Sequence, residues 1–133
     1  VTVVVDASAM LAVLTGGGPH GTWAKSVLTE SVVAPHVMPV EVTNALRREA
    51  LRKEITDDVA SMTLGLLVNF PVELFPFEPF VERVWQLRHA VSPYDGWYVA
   101  LAEVLDAPLV TLDAKLARAT GPHCEFVTPP RAR

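Results

Sequence analysis

The sequence has a single cysteine, Cys124, among 133 residues. It cannot close an internal disulfide, and with no second Cys or paired His nearby it offers no zinc site. A lone Cys in this setting reads as small core filling. The four histidines, His20, His36, His89 and His123, form no close helical pair and are expected at caps or on the surface. Half the residues are hydrophobic, yet no apolar stretch approaches the roughly 20 residues of a membrane span, so no membrane association is expected. The opening apolar run lacks a basic leader and a small-residue cleavage site, so no secretory signal is expected and the cytoplasm is the expected compartment. There is no linker, repeat or low-complexity segment. One domain over residues 1–128 and a frayed tail over 129–133 follow from the length and from the terminal Pro129-Pro130-Arg131-Ala132-Arg133.

Basic residues are outnumbered, 11 against 15 acids, for a net charge of −4. By itself that argues against a nucleic-acid binder. Four of the acids, however, stand apart from the rest. Asp6 follows Val3-Val4-Val5, Asp113 closes Leu109-Val110-Thr111-Leu112, and Glu41 and Asp95 fall in the first turns of expected helices. Setting these four aside leaves 11 acids against 11 bases. The excess thus equals the proposed cluster, and two divalent ions would cancel it, so the charge does not exclude a polyanionic substrate.

Short apolar strands alternate with helices along the chain. Val3 to Val5, Val32 to Ala34, Val72 to Phe75, Leu109 to Leu112 and Glu125 to Val127 read as strands. The expected helices run from Ala7 to Leu14, from Pro19 to about Ser31, from Val40 to about Lys53, and from Thr56 onward with Val59, Met62, Leu66 and Leu67 on the apolar side. Three more run from Pro79 to about Val91, from Tyr94 to about Leu105, and from Ala114 to Ala119. This alternation predicts an α/β domain with a parallel sheet. In such sheets the binding crevice lies beyond the carboxyl ends of the strands, the edge occupied by Asp6 and Asp113.

If the four acids converge there, each like-charge pair near 5 Å costs about 3 kcal/mol at an effective dielectric near 20, and six pairs approach 20 kcal/mol. A cation relieves this; without one, some of the groups take up protons. Oxygen-only ligands favour Mg²⁺ or Mn²⁺, and such a site activates water for attack on a phosphodiester. Three of the acids also have a plain structural reading: Glu41 and Asp95 as helix N-terminal acids, and Asp113 as an N-cap; Asp6, directly after a buried strand and before a helix, has few structural reasons to be there.

Four stretches resemble the PIN-domain family and, within it, the VapC-type ribonuclease toxins of prokaryotic toxin-antitoxin pairs. They are Val4-Val5-Asp6-Ala7-Ser8-Ala9, Pro39-Val40-Glu41-Val42-Thr43-Asn44-Ala45-Leu46, Tyr94-Asp95-Gly96-Trp97-Tyr98-Val99-Ala100-Leu101-Ala102 and Leu109-Val110-Thr111-Leu112-Asp113. The resemblance covers almost the whole chain. It implies a three-layer sandwich: a five-stranded parallel sheet of order 3-2-1-4-5 with helices on both faces and the acids at its C-terminal edge. It also implies metal-dependent endonucleolytic cleavage of structured RNA of the tRNA or rRNA class, with Asp6, Glu41, Asp95 and Asp113 as the catalytic and metal-site residues. Asp6 and Asp95 are expected nearest the ion, which is Mg²⁺, with Mn²⁺ as the alternative.

Ser8 and Thr111 match small polar positions bordering the site, and Asn44 lies one helical turn from Glu41. Thr111 also reads as a cap or strand hydroxyl, and Asn44 as an exposed helical residue. The family further implies a homodimer and a VapB-type antitoxin that enters the active-site groove and binds operator DNA; this chain itself shows no DNA-reading element. Arg47, Arg48, Arg52 and Lys53 after Glu41, with Lys115 and Arg118 after Asp113, are candidate phosphate contacts, or else an ordinary solvated face. Trp23, Trp97 and Tyr98 are candidates to stack on a base, with core packing the leading expectation for Trp97 and Tyr98, and Phe70, Phe75, Phe77, Phe80 and Trp85 are expected in the core or at a dimer contact.

A catalytically silent binding module of the same fold is the alternative from another class. A response-regulator receiver also gathers acids at strand ends. It would need a lysine in the crevice after the last strand, and Lys115 within a helix is a poor fit.

Overall fold

A computed structural model describes residues 1–131. Its five strands are β1 (Thr2–Val5), β2 (Ser31–Pro35), β3 (Glu73–Phe75), β4 (Leu109–Val110) and β5 (Phe126–Val127). They form one sheet of order β3-β2-β1-β4-β5, every neighbouring pair parallel. In the register of the central strand, Val4 faces Val33 on one side and Leu109 on the other. Successive side chains of a strand point to opposite faces. Val3, Val4 and Val5 are all buried, so both faces of β1 are covered, which is why its sequence is continuously apolar rather than alternating.

The helices are α1 (Ala7–Thr15), α2 (Gly18–Val27), α3 (Met38–Leu51), α4 (Asp57–Asn69), α5 (Val81–Gln86), α6 (Pro93–Leu105) and α7 (Ala114–Ala117), with a short 3₁₀ turn (Glu78–Phe80) ahead of α5. α6 is the central one, packing across β1, β2 and β4 and against α5. Ser92 caps it by accepting the Asp95 N–H, Pro93 fills its first position, and Tyr98 through Ala102 are all buried. Each fully buried Val or Leu in such a helix contributes about 1.5–3 kcal/mol. α1 ends at Gly16, whose left-handed φ of 67° returns its N–H to the Ala12 carbonyl. There α2 passes so close that a Cβ on Gly21 would lie 2.6 Å from the Gly16 carbonyl carbon. Among the described residues no helix is long and apolar enough to cross a membrane.

Several elements differ from the sequence reading. The helix expected from Pro79 to Val91 breaks into the 3₁₀ turn, the six residues of α5 and a run of turns. α2 ends at Val27, four residues short of Ser31, because β2 already begins there. β3, β4 and β5 are each shorter than expected. The apolar side assigned to α4 is mostly in water: Leu67 is buried, but Val59, Met62 and Leu66 are exposed, Met62 by 67%. The helix buries Thr63 instead, whose hydroxyl donates to the Val59 carbonyl at 2.8 Å. Of the aromatics near β3, Phe80 is buried and Phe70, Phe75 and Phe77 pack against the core, whereas Trp85 is 66% exposed. In the tail expected over 129–133, residues 132 and 133 lie outside the described residues.

Candidate active site

Asp6 is the first residue past β1 and the N-cap of α1, its Oδ1 accepting the Ala9 N–H at 2.9 Å. The same oxygen accepts the Ser8 hydroxyl at 2.7 Å, and Oδ2 accepts the hydroxyl of Thr111. Asp6 is 7% exposed and Thr111 fully buried. Burial pushes the Asp6 carboxyl above its ordinary range; the Thr111, Ser8 and Ala9 donors oppose this, and the charge of Asp113 adds to it.

Asp113 caps α7, accepting the Lys115 and Leu116 N–H groups at 2.9 and 3.1 Å. Its own N–H donates to Thr111 Oγ1 at 2.9 Å, so one threonine hydroxyl joins Asp6 to the backbone of Asp113. Ser8 does the same on the other side, its oxygen accepting the Leu112 N–H at 3.1 Å. Ser8 and Thr111 therefore both donate to Asp6, and Thr111 is at once a turn hydroxyl and a donor to an acid.

Glu41 lies in the first turn of α3 and Asp95 in the first turn of α6. Burial raises the Asp95 carboxyl to about 6, with the charges of Asp113, Asp6 and Glu41 adding to it in that order. Glu41 is raised by burial and by the charge of Asp6, against a lowering hydrogen bond from Tyr98. The four acids thus sit in one electrostatic field. Among the described residues none of them is in an ion pair; the pairs present are Arg83–Glu103 and the exposed Arg52–Glu54.

Among the described residues no three His, Cys, Asp or Glu side chains close into a metal cage. The donor chemistry nevertheless fits a hard divalent ion: carboxylates from four segments and hydroxyl neighbours, with no basic side chain ion-paired to the four acids among the described residues. An open arrangement suits Mg²⁺ in particular, which keeps several waters and uses one or two carboxylates.

Two clefts hold three of the acids between them, and Asp6 lines neither. One of about 620 Å³ contains Asp95 and Asp113 with His89, Lys115 and Arg118 on its walls. The other, about 420 Å³, contains Ser8 and Glu41 with Asn44, Arg48 and Arg52. Four of the candidate phosphate contacts therefore line the same hollows as the acids, whereas Arg47 and Lys53 line neither of these two. Asn44 shares the second cleft with Glu41 but makes no hydrogen bond to it among the described residues. Trp23 is half-buried against the core.

Tyr98 reads from the sequence as a core residue first and a base-stacking one second. It is indeed 2% exposed, but its hydroxyl donates to Glu41 Oε1 at 2.7 Å. The available signal was its place one turn after Asp95, on the same side of the helix. Trp97, also expected in the core, is half-buried and edge-on to Phe77 with ring centroids 5.2 Å apart.

Comparison with known proteins adds a family to this geometry. The PIN domain profile matches residues 3–122. Ribonuclease VapC1 of Mycobacterium tuberculosis is 44% identical over 125 residues, 92% of this chain and 94% of that one. The crystal structure of PAE2754 from Pyrobaculum aerophilum superposes with a TM-score of 0.63 at 28% identity, covering 88% of this chain and 86% of the other. VapBC2 from Rickettsia felis, crystallised bound to a DNA fragment from its promoter, superposes with a TM-score of 0.66 at 11% identity, covering 98% and 100%. That last likeness is one of fold.

Proposed function

This chain belongs to the PIN-domain family, in its VapC-type branch, and on that premise we propose that it is a metal-dependent endoribonuclease, the toxin of a toxin-antitoxin pair, acting on structured RNA of the tRNA or rRNA class. One observation carries the reading. Thr111 joins Asp6 to the backbone of Asp113 at one sheet edge, burial and then the charges of Asp113, Asp6 and Glu41 raise Asp95 to about 6, and no cation is paired to any of the four among the described residues.

A bound Mg²⁺, or Mn²⁺ in its place, supplies Lewis acidity and water of lowered pKa. Asp6 and Asp95 would hold it, with Glu41 and Asp113 acting directly or through water. The rest falls to the side chains of the chain itself. Asp6 is fixed by three donors, so its carboxylate is oriented before any substrate arrives. Arg48 and Arg52 on one side and Lys115 and Arg118 on the other hold the backbone phosphates of an RNA strand drawn across the acids, neutralising charge the acids themselves repel. No Ser-His or Cys-His pair is needed, because the nucleophile is water.

The ribonuclease name of the 44% identical relative supports the reaction class. A VapB-type antitoxin is the partner that this branch of the family implies, with operator DNA reached through it. The homodimer implied by the resemblance would cover exposed apolar side chains, of which α4 offers Met62, Leu66 and Val68.

The test is to sequence the ends of RNAs cut by the purified chain with Mg²⁺, beside Asp6→Asn and a chelator control. Recurring cuts in one RNA class, lost in both controls, support the proposal. Absence of Mg²⁺- or Mn²⁺-dependent cutting on every RNA tested would replace it with the silent binding module.

A further inference from the structure

We propose that Tyr98 is a positioning residue for Glu41, fixing one carboxylate oxygen so that the other is presented to the divalent ion. The inference rests on the metal-site reading above. α6 carries Asp95 in its first turn and Tyr98 three residues on, so the helix that supplies one acid also holds another. The hydroxyl crosses from α6 to α3, bridging 57 residues of sequence, and donates to Glu41 Oε1 at 2.7 Å. Among the described residues Oε2 has no hydrogen-bond partner, and it is not among the buried polar atoms left unpaired, which are limited to Trp97 Nε1. One oxygen is therefore anchored in protein and the other is left without a partner.

The chemistry of the anchor matters. A lysine or arginine in the place of Tyr98 would also hold Glu41, but its positive charge would compete with the metal. A phenol orients the carboxylate through a neutral O–H and leaves the site's negative charge intact. Its proton stays on oxygen, since burial first, and then the Glu41 hydrogen bond and the charges of Glu41, Asp6 and Asp95, push its pKa far above the ordinary phenol value. Satisfying a buried phenol does not require a carboxylate, because any backbone carbonyl would serve. Partners that orient metal-binding side chains typically govern affinity or activity by 10–100-fold.

The experiment compares wild type with Tyr98→Phe, which keeps the ring and removes only the hydroxyl. Three quantities are read: Mn²⁺ affinity from the EPR signal of free Mn²⁺, kcat and KM on a cleaved RNA, and the melting temperature of the metal-free chain. A positioning role gives Mn²⁺ binding weakened about 10–100-fold, kcat lowered with KM for RNA near wild type, and a melting temperature within a few degrees. In a Glu41→Ala background the same substitution then changes neither Mn²⁺ affinity nor kcat.

Unchanged Mn²⁺ affinity and kcat per folded molecule, with any loss of melting temperature, would assign the bond to the fold alone and overturn the inference. So would an added loss in the Glu41→Ala background. Wild type that binds no Mn²⁺ overturns the metal-site reading and this inference with it. Wild type that binds Mn²⁺ no better than Tyr98→Phe overturns only the role given to Tyr98.

Discussion

Thr111 and Asp6, 105 residues apart, share a buried hydrogen bond in which the threonine hydroxyl donates to Asp6 Oδ2. The same hydroxyl oxygen accepts the Asp113 N–H. A single side chain thus sets the distance between the ends of β1 and β4, where two of the four acids sit.

Thr111→Val removes this hydroxyl at nearly constant volume and leaves a buried carboxylate short of one donor. Hydrogen bonds to charged groups are worth about 1.5–3 kcal/mol, so urea unfolding should show a loss of that order. Cleavage should fall as well, because Asp6 loses the donor on Oδ2. A variant with wild-type stability and activity would mean that Ser8 and the Ala9 N–H suffice to hold Asp6.

Stability should depend on pH in an unusual direction for a carboxylate cluster. Asp6, Glu41 and Asp95 are all raised in the folded chain, chiefly by burial, Asp95 to about 6. Between the ordinary carboxylate range near 4 and about 6 the folded chain therefore binds more protons than the unfolded one, and this contribution to stability falls as pH rises through that window. Glu103 works the other way: its burial raises the pKa, but the hydrogen bonds from Arg83 and the His123 N–H, with the charges of both residues, outweigh it. The site's share is isolated by Asp95→Asn, which should melt higher than wild type in EDTA at pH 7.5 and lose that advantage at pH 4. Magnesium should remove the penalty in wild type, and ion present at 100 times its dissociation constant adds about 2.7 kcal/mol. Equal melting of wild type and Asp95→Asn at both pH values would contradict the shared field.

The candidate acids stood out in the sequence because a carboxylate directly after a buried strand has few plain uses. Asp6 directly follows three buried valines, and the structure gives it a capping role as well as a place among the acids. Strand order and parallel pairing followed from the resemblance, and the five apolar runs lie where the strands form. Sequence was a poor guide where periodicity had to stand in for burial. Val59, Met62 and Leu66 share a helical stripe with Leu67, but only Leu67 meets the core; the pattern records an apolar side without saying what covers it. Near Pro79 the helix pattern ignored the 3₁₀ start and the turns after Gln86. The place of Tyr98 one turn after Asp95 marks its side of the helix, but its partner Glu41 lies on another helix, and no local pattern names it.

The basic residues give a salt-sensitive prediction. Among the described residues neither Arg48, Lys115 nor Arg118 is in an ion pair, so each is free to meet phosphate. Arg48→Ala and Lys115→Ala should each raise KM several-fold at constant kcat. Each should also flatten the dependence of log affinity on log salt by about 0.7 per lost contact, as for a single strand. Unchanged KM and salt slope in both variants would make these side chains an ordinary solvated face.

The shared site itself is most directly tested by anomalous diffraction from crystals soaked in Mn²⁺. The expected result is a peak within bonding distance of carboxylate oxygens from at least two of Asp6, Glu41, Asp95 and Asp113, absent from Asp6→Asn crystals soaked alike. Peaks confined to other parts of the surface, or a site unchanged by Asp6→Asn, would contradict a common metal centre.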